Sequence, residues 1–497
     1  MDKRGAGILL HISSLPSEFG IGDLGPEAYK FTDFLYNSGM RFWQILPLNP
    51  TDLCHDNSPY KSVSAFAFNS ILISPINLVE DGLLEEKDII DAPSCRGSEI
   101  DFKSVVVYKE KILNKTYDNF LKKPNDSHFD KFCRENSYWL DDYALFSALK
   151  EKFSDRIWNQ WPVSIRDRDL EEIKKQTEVL HKEIKKKKFF QYLFIIQWKR
   201  LKKYCSDRNI QIIGDIPIYV GLDSVDVWTH SSLFKLDKHK QPIYVAGVPP
   251  DYFSETGQLW GNPVYQWDVM KKNKYQWWLE RLRHNLALFD IVRIDHFRGL
   301  VAYWQVDSKE KTAINGKWIQ APADDFLHTI VNKFEKLPII AEDLGVITPD
   351  VLDIMKKYNL PGMKVLQFGF SGDVGENEHA VHNAVPNSFL FTGTHDNNTV
   401  KGWFRHDIDR EEKQNINTYV GHTVTKRSVH KELIRLAMIS VANTVIIPIQ
   451  DILGLGREAR MNRPFSNKGN WRWKLKPGKL TDQLSRSIKE LIAIYGR

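Results

Sequence analysis

Short runs of hydrophobic residues recur along the chain, each bounded by turn-forming residues. Most of them are continuous rather than alternating, which indicates strands buried on both faces, as in a parallel sheet. The runs are residues 7–12, 42–48, 210–220, 289–295, 337–343, 363–369, 388–394 and 444–451. We therefore expect eight parallel strands.

Stretches with helical spacing of apolar residues separate most of these runs. They are residues 26–38, 189–208, 275–285, 323–333, 349–358 and 428–442, with a final helix near 481–495. Pro349 follows Thr348 at a first helical position, where proline is favoured. Strands that alternate with helices predict an α/β fold, a (β/α)8 TIM barrel without a separate C-terminal β domain.

Two intervals are too long to be ordinary loops. We expect residues 50–188 to form a mostly helical insertion after the second strand, and residues 221–273 an insertion rich in aromatic residues after the third. A chain of 497 residues with 42% hydrophobic residues allows two or three small domains, but an elaborated barrel also accounts for it. We predict a single catalytic domain over residues 1–497, with both insertions at the end of the barrel where active sites form.

Positive charge does not dominate the sequence. The 69 Lys and Arg residues are nearly balanced by 63 Asp and Glu residues, which leaves a net charge of +6. The main basic cluster, residues 185–188, is interpreted as the solvated start of a helix rather than a phosphate-binding patch. We therefore expect no nucleic-acid partner.

The cysteines and the N-terminal segment bear on the compartment. Four cysteines are widely scattered, without the spacing of a disulfide framework or a zinc site. The apolar run after the N-terminus is short and is broken by His11. No stretch reaches the roughly 18 apolar residues of a membrane span. We expect a cytoplasmic protein with reduced thiols and no membrane partner.

Charged residues stand at the ends of the predicted strands. They are Asp215, Arg293, Asp295, Glu342, Asp343, His395, Asp396 and Asp451. A closed barrel brings these ends around one opening, where crowded carboxylates shift one another's pKa values apart. Arg293 and Asp295 lie two residues apart and share one strand face, so the guanidinium can keep the carboxylate ionised. This arrangement suits a nucleophile beside a separate acid.

Three strand-end motifs resemble those of the α-amylase superfamily, and further segments are similar to the amylomaltases. The strand-end motifs are VRIDHFRG (292–299), IIAEDLG (339–345) and TGTHDNN (392–398). The further segments are SPYKSVSAFA (58–67), GDIPIYV (214–220), GVPPDYFSETGQLWGNPVY (247–265), RMNRP (460–464) and GNWRW (469–473). Amylomaltases are the disproportionating 4-α-glucanotransferases of glycoside hydrolase family 77. The resemblance spans essentially the whole chain.

The resemblance implies a role for each matching residue. Asp295 would be the catalytic nucleophile, Glu342 the general acid/base and Asp396 the carboxylate that stabilises the transition state. A retaining mechanism of this kind needs two carboxyl groups about 5–5.5 Å apart. The implied substrate-binding residues are Tyr60, Asp215, Arg293, His296, His395, Asp251, Gln258, Trp260 and Asn462.

The implied activity is transfer of a 1,4-α-glucan segment by a retaining double displacement. The implied partners are maltooligosaccharides and other α-1,4-glucans, with glucose as an acceptor. The resemblance implies no metal and no cofactor, and we expect a monomer or a homodimer. Tyr252, Phe253 and Trp260 lie in a loop rich in Gly and Pro, so we expect them to stack on glucose rings rather than to fill the core.

Four alternatives compete with this interpretation. An α-glucan hydrolase of the same superfamily would use the same carboxylates. A metal-dependent barrel hydrolase would use His11, Asp215, His395 and Asp451 as ligands. A starch-binding protein on a decayed barrel would lack a catalytic carboxylate, and a phosphate-binding barrel would need glycine-lined anion sites. The alternative for three other residues is a purely structural role, in which Asp343 and Asp451 only form hydrogen bonds to loops and His11 is a core residue.

Overall fold

The structure is a computed structural model that describes residues 4–93, 99–123, 126–250, 254–464, 466 and 468–497. The described strands are β1 (Gly5–Leu9), β2 (Phe42–Gln44), β3 (Gln211–Ile216), β4 (Tyr244–Val248), β5 (Gln258–Pro263), β6 (Ile291–Ile294), β7 (Ala302–Asp307), β8 (Gly316–Gln320), β9 (Ile339–Ala341), β10 (Gly362–Val365), β11 (Ser388–Phe391) and β12 (Thr444–Pro448). They form one sheet of eight strands and one of four.

The eight-stranded sheet is parallel and curls into a nearly closed barrel. Its strand order is β10-β11-β12-β1-β2-β3-β6-β9. The remaining gap, between β9 and β10, is crossed by the Ala341 N–H, which donates to the Pro361 carbonyl across 2.9 Å. The Asp343 carboxylate accepts from the Met363 N–H across 2.6 Å at the same gap. Each predicted run overlaps one barrel strand, so the predicted TIM barrel is confirmed.

The barrel strands are buried on both faces because helices cover the outside and packed side chains fill the inside. Ile212 and Ile213, which point to opposite faces of β3, are both fully buried. The next residue, Gly214, lies against the Phe289 ring, and a Cβ there would come within 2.1 Å of Phe289 Cδ2. Glycine at this position allows β3 to approach the segment before β6.

Helices surround the barrel and fill the long intervals. They are α1 (Pro26–Asn37), α2 (Pro75–Glu80), α3 (Phe102–Phe120), α4 (Ser127–Glu135), α5 (Ser137–Lys152), α6 (Val163–Arg166), α7 (Leu170–Val179), α8 (His181–Ser206), α9 (Val225–Thr229), α10 (Trp267–Lys272), α11 (Gln276–Leu288), α12 (Ala323–Val331), α13 (Pro349–Lys357), α14 (Val400–His406), α15 (Arg410–Val420), α16 (Val429–Ile439), α17 (Ile449–Ile452) and α18 (Asp482–Tyr495). Every predicted helix overlaps one of these.

The basic cluster at residues 185–188 lies in the first two turns of α8. Two of its lysines, Lys187 and Lys188, form ion pairs with Glu151 and Asp141 on α5. These pairs hold α8 against α5 within the segment between β2 and β3. Half of the basic cluster is therefore neutralised by acidic side chains.

A four-stranded antiparallel sheet stands beside the barrel, in the order β5-β4-β7-β8. The segment 221–273, predicted as an aromatic insertion, supplies β4 and β5, whereas β7 and β8 follow β6. The hydrophobic pattern missed this sheet because its strands are partly exposed, so they lack the continuous apolar runs of the barrel strands. The division into one domain with two insertions stays a prediction.

Candidate active site

A cleft of about 1320 Å³ opens at the carboxyl ends of the barrel strands. It brings together ten of the residues singled out in the sequence, namely Tyr60, Gln258, Trp260, Arg293, Asp295, His296, Glu342, His395, Asp396 and Asn462. Asp215 is buried beside this group and bonds to two of its members. Asp251, together with Tyr252 and Phe253, lies outside the described residues.

Arg293 is the buried centre of an ion-pair network. Its Nη1 donates to Asp215 Oδ2 across 2.5 Å, and its Nη2 donates to Asp295 Oδ1 across 2.7 Å. The register of β3 and β6 sets Arg293 directly beside Asp215. Burial acts to lower the pKa of Arg293, but the charges of Asp215 and Asp295 outweigh it and raise that pKa well above its usual value. The expected pairing of Arg293 with Asp295 is present.

Asp215 is fixed from two sides. Besides Arg293, the Tyr60 hydroxyl donates to Asp215 Oδ2 across 2.6 Å. Burial raises the pKa of Asp215, while the charge of Arg293 opposes that change. The other oxygen, Oδ1, is buried and has no hydrogen-bond partner. Asp215 therefore keeps acceptor capacity that the protein itself does not use.

Glu342 follows β9 and is buried at the base of the cleft. Two backbone N–H groups donate to its carboxyl oxygens, that of His296 across 2.6 Å and that of Leu344 across 2.8 Å. Burial, reinforced by the charge of Asp295, raises the pKa of Glu342 to about 8, although Arg293 and the two N–H donors act in the opposite direction. Glu342 is therefore protonated at neutral pH and can act as an acid.

Asp396 and His395 lie in the loop after β11. The Asn462 side chain donates to Asp396 Oδ1 across 2.6 Å. Arg460 donates both to the Asp396 carbonyl, across 2.8 Å, and to the Asn462 carbonyl, across 2.7 Å. His395 Nε2 lies 2.9 Å from the Tyr60 hydroxyl. The C-terminal segment thus fixes the orientation of Asp396.

Aromatic rings form the walls of the cleft. The Tyr60 ring stacks on His395 with 5.3 Å between centroids, and Trp471 packs against both. Elsewhere in the lining of the cleft the Trp260 ring meets His296 edge to face, with 4.7 Å between ring centroids. Burial lowers the pKa of His296 to about 4, so its ring is neutral. Trp260 lines the cleft, and its stacking on a glucose ring stays a prediction.

Gln258 lies two residues before Trp260 on β5. Its Oε1 accepts a hydrogen bond from Trp260 Nε1 across 3.1 Å. The Trp260 carbonyl in turn accepts from Lys61 Nζ across 2.7 Å. The aromatic wall is therefore fixed to the segment that carries Tyr60.

The four residues proposed as metal ligands in the alternative interpretation have other partners. His11 Nδ1 accepts from the Leu46 N–H, and burial lowers the pKa of His11 to about 3. The Asp451 carboxylate accepts from the Thr392 hydroxyl and the Val400 N–H. Among the described residues no group of three His, Cys, Asp or Glu side chains has the arrangement of a metal site. Asp451, like Asp343, therefore forms hydrogen bonds that hold neighbouring segments of the chain.

Sequence reasoning missed two residues of this site. Arg460 and Trp471 lie in the motifs RMNRP and GNWRW, which matched a family pattern without indicating what each side chain does. Their contacts to Asp396 and to Tyr60 join segments more than 60 residues apart. The two motifs indicated that these segments belong to the site, but the roles of Arg460 and Trp471 could be recognised only from their contacts in the folded protein.

Comparison with known proteins places the chain among glucan-modifying enzymes. A family model described as 4-α-glucanotransferase matches residues 10–481. The 4-α-glucanotransferase of Aquifex aeolicus is 45% identical over 494 residues, which cover 99% of each chain. That of Clostridium butyricum is 46% identical over 490 residues, 98% of this chain and 100% of the relative. These matches confirm the predicted transferase over the hydrolase.

Solved structures also resemble this chain. The amylomaltase of Streptococcus agalactiae in complex with acarbose superimposes with a TM-score of 0.96, at 38% identity and over 100% of both chains. The amylomaltase of Corynebacterium glutamicum has a TM-score of 0.75 at 18% identity, covering 99% of this chain and 75% of that one, and shares the fold. On the full-length match to its family model and relatives, the chain belongs to the 4-α-glucanotransferase family.

Proposed function

We propose that the protein transfers a segment of a 1,4-α-glucan to the 4-hydroxyl of glucose or a maltooligosaccharide, with Asp295 as nucleophile and Glu342 as general acid/base. The observation that carries this assignment is the contrast between the two groups. Asp295 is held by Arg293, whereas burial leaves Glu342 protonated at neutral pH. One nucleophile and one acid in the same cleft are what a retaining mechanism requires.

In the first step an Asp295 oxygen attacks the anomeric carbon of the donor. The bond from this carbon to the glycosidic oxygen breaks, and that oxygen takes the proton of Glu342. The shortened glucan leaves with a free 4-hydroxyl, and the donor segment stays bound to Asp295 as an ester. Asp396, oriented by Asn462, hydrogen-bonds sugar hydroxyls and favours the distorted, oxocarbenium-like transition state.

In the second step the 4-hydroxyl of an acceptor attacks the same carbon. Glu342, now ionised, takes the hydroxyl proton, the ester bond to Asp295 breaks, and a new α-1,4 bond forms. Glu342 is then protonated again and Asp295 is free. One glycosidic bond is broken and one is made, so the number of reducing ends does not change.

The remaining polar groups of the cleft bind the sugar on either side of this bond. Tyr60 binds the glucose unit at the cleavage point, and Asp215, which accepts the Tyr60 hydroxyl from behind, is proposed for the same sugar from the sequence motif. His395, His296 and Gln258 bind neighbouring hydroxyls. Asp251 is proposed for the same role from the sequence motif alone.

Transfer depends on an acceptor reaching the ester before water does. The wall formed by Trp260, with its backbone bonded to Lys61, supports acceptor binding beside Glu342. A relative in complex with acarbose supports an oligosaccharide substrate for this cleft. We propose that maltooligosaccharides serve as donors and as acceptors, with glucose as the smallest acceptor.

The direct test is incubation with pure maltotriose, with and without a chelator. We expect glucose together with a ladder of longer and shorter oligosaccharides, a constant number of reducing ends and no effect of the chelator. A rising number of reducing ends would mean hydrolysis, and loss of activity with the chelator would mean a metal-dependent reaction. Unchanged maltotriose would contradict the proposal altogether.

The proposal extends to the organisation of the chain and its compartment. A buried ion pair joins Lys109 of α3 to Asp23 of the segment after β1, and β4 of the segment 221–273 pairs with β7. Both contacts support a single domain that includes residues 50–188 and 221–273 as insertions. The described cysteines Cys54, Cys133 and Cys205 are free thiols, which supports a cytoplasmic location. No described helix combines the length and apolarity needed to cross a membrane.

The oligomeric state is open between a monomer and a homodimer, and light scattering would distinguish the two.

A further inference from the structure

Trp318 is an aromatic residue of the cleft that the proposed reaction does not use. It lies on β8 of the four-stranded sheet and lines the same cleft as Asp295 and Glu342. With 39% of its surface exposed, it is the most exposed tryptophan in the described part of the chain. Neighbouring Val346 is 73% exposed and lines the cleft too. Apolar surface left open in a groove marks a place where a ligand binds.

The Trp318 ring is held in place before any ligand arrives. The Arg298 guanidinium stacks on it at 4.0 Å from the ring centroid. Arg298 is itself fixed, since its Nη1 donates to the Val346 carbonyl across 3.0 Å and to the Thr348 hydroxyl across 2.8 Å. Trp304, its partner across the strands, packs edge to face at 5.3 Å. A preordered ring loses little entropy when it binds a ligand.

The residues beside Trp318 are close in sequence to the two catalytic carboxylates. Arg298 follows Asp295 by three residues, and Val346 follows Glu342 by four. Through Arg298 and Val346, Trp318 therefore lies on the side of the cleft formed by the segments after β6 and β9, which carry Asp295 and Glu342. A glucan chain bound at the two carboxylates would continue along this side if it is long enough.

We propose that Trp318, backed by Arg298 and flanked by Val346, is a glucan-binding subsite for a glucose unit beyond those held at the catalytic carboxylates. The ligand class is an α-1,4-glucan longer than the shortest donors, and the proposal rests on the proposed function. The flat indole covers the apolar C–H face of a glucopyranose ring, and Val346 adds apolar contact at the edge. The subsite favours long chains over maltotriose.

The test compares Trp318→Ala and Trp318→Phe with wild type on maltotriose and on maltoheptaose. We expect Trp318→Ala to lower kcat/KM for maltoheptaose by about tenfold while that for maltotriose stays within about twofold. Trp318→Phe keeps an aromatic face and should retain most of the preference. Tyr36→Ala is the matched control, because Tyr36 is an aromatic residue on α1 with 56% exposure that does not line the cleft.

A binding measurement separates this proposal from the proposed function. Calorimetry in the inactive Asp295→Asn background should show weaker maltoheptaose binding when Trp318→Ala is added, by about tenfold, and unchanged maltotriose binding. That readout does not need turnover, so it tests the subsite even if the wild-type protein transfers nothing. An equal loss for both sugars, or no loss for maltoheptaose, would overturn the subsite and leave the transferase assignment untouched.

Discussion

The backbone N–H of His296 donates to the Glu342 carboxyl across 2.6 Å. His296 is the residue after Asp295, so the proposed acid is tied to the backbone that carries the proposed nucleophile. The adjacent strands β6 and β9 make this possible, since their register sets Ile294 beside Ala341, one residue before each of the two acids. The spacing of the two carboxyl groups is therefore set by the sheet itself.

The proposed roles of Asp295 and Glu342 predict different responses to the leaving group. Asp295→Asn and Glu342→Gln should each lower turnover of maltotriose by at least about 10³-fold. With a maltosyl fluoride donor, whose leaving group needs no proton, Glu342→Gln should regain formation of the glycosyl ester, whereas Asp295→Asn should not. Fluoride release measures this step.

Circular dichroism and thermal unfolding are the controls for these two variants. Both substitutions are nearly isosteric, so we expect native spectra. Fluoride release from Asp295→Asn at the wild-type rate would show that another group is the nucleophile.

The pKa of Glu342 predicts the alkaline limit of activity. Burial raises this pKa to about 8, so the acid is protonated below that pH and loses its proton above it. A plot of kcat/KM against pH should therefore fall on the alkaline side with an apparent pKa near 8. The fluoride donor should show no such fall in ester formation, and a fall of the same shape would assign the titration to a different group.

Arg293 should not be replaceable by another cation. Lysine keeps the positive charge but cannot donate to Asp215 and Asp295 in the same fork, so Arg293→Lys should lower kcat by about 10²-fold. Arg293→Met leaves the buried Asp215 without its charge partner and should destabilise the fold by about 3–5 kcal/mol, measured by urea unfolding.

The double variant Arg293→Met with Asp215→Asn is the control for stability. It removes the buried charge along with its partner and should recover part of the loss. Unfolding of the double variant at the same urea concentration as Arg293→Met would show that the ion pair is not the cause.

Asp451 should position the loop that carries His395 and Asp396. Its two carboxyl oxygens accept from the Thr392 hydroxyl and the Val400 N–H, each across 2.7 Å, so it joins the two ends of this loop. Asp451→Ala removes both bonds, and we expect kcat to fall by about tenfold with little change in KM. Steady-state kinetics with maltotriose measures kcat and KM separately and so tests this expectation.

Asp451→Asn is the conservative comparison. Its amide can donate to Thr392 and accept from Val400, so most of kcat should return. If Asn and Ala behave alike, or if only thermal stability changes, the loop does not depend on Asp451 for its orientation.

Local pattern determined much of the fold. The runs that predicted β3, β6 and β9 are continuous because both faces of each strand are buried, and burial on both faces is a property that a single segment records. The position of Asp295 and Glu342 at strand ends could be read in the same way. The pairing of Arg293 with Asp295 followed from the two-residue period of one strand.

Tertiary structure decided what depends on distant segments. The four-stranded sheet joins β4 to β7 across more than 50 residues, and no local pattern records such a pairing. The bonds from Arg460 and Asn462 to Asp396, and the stacking of Arg298 on Trp318, likewise join parts of the chain that only folding brings together. The protonation state of Glu342 is likewise decided by the tertiary structure. The sequence supplies the carboxyl group, but its pKa depends on burial and on neighbouring charges, and both exist only in the folded protein.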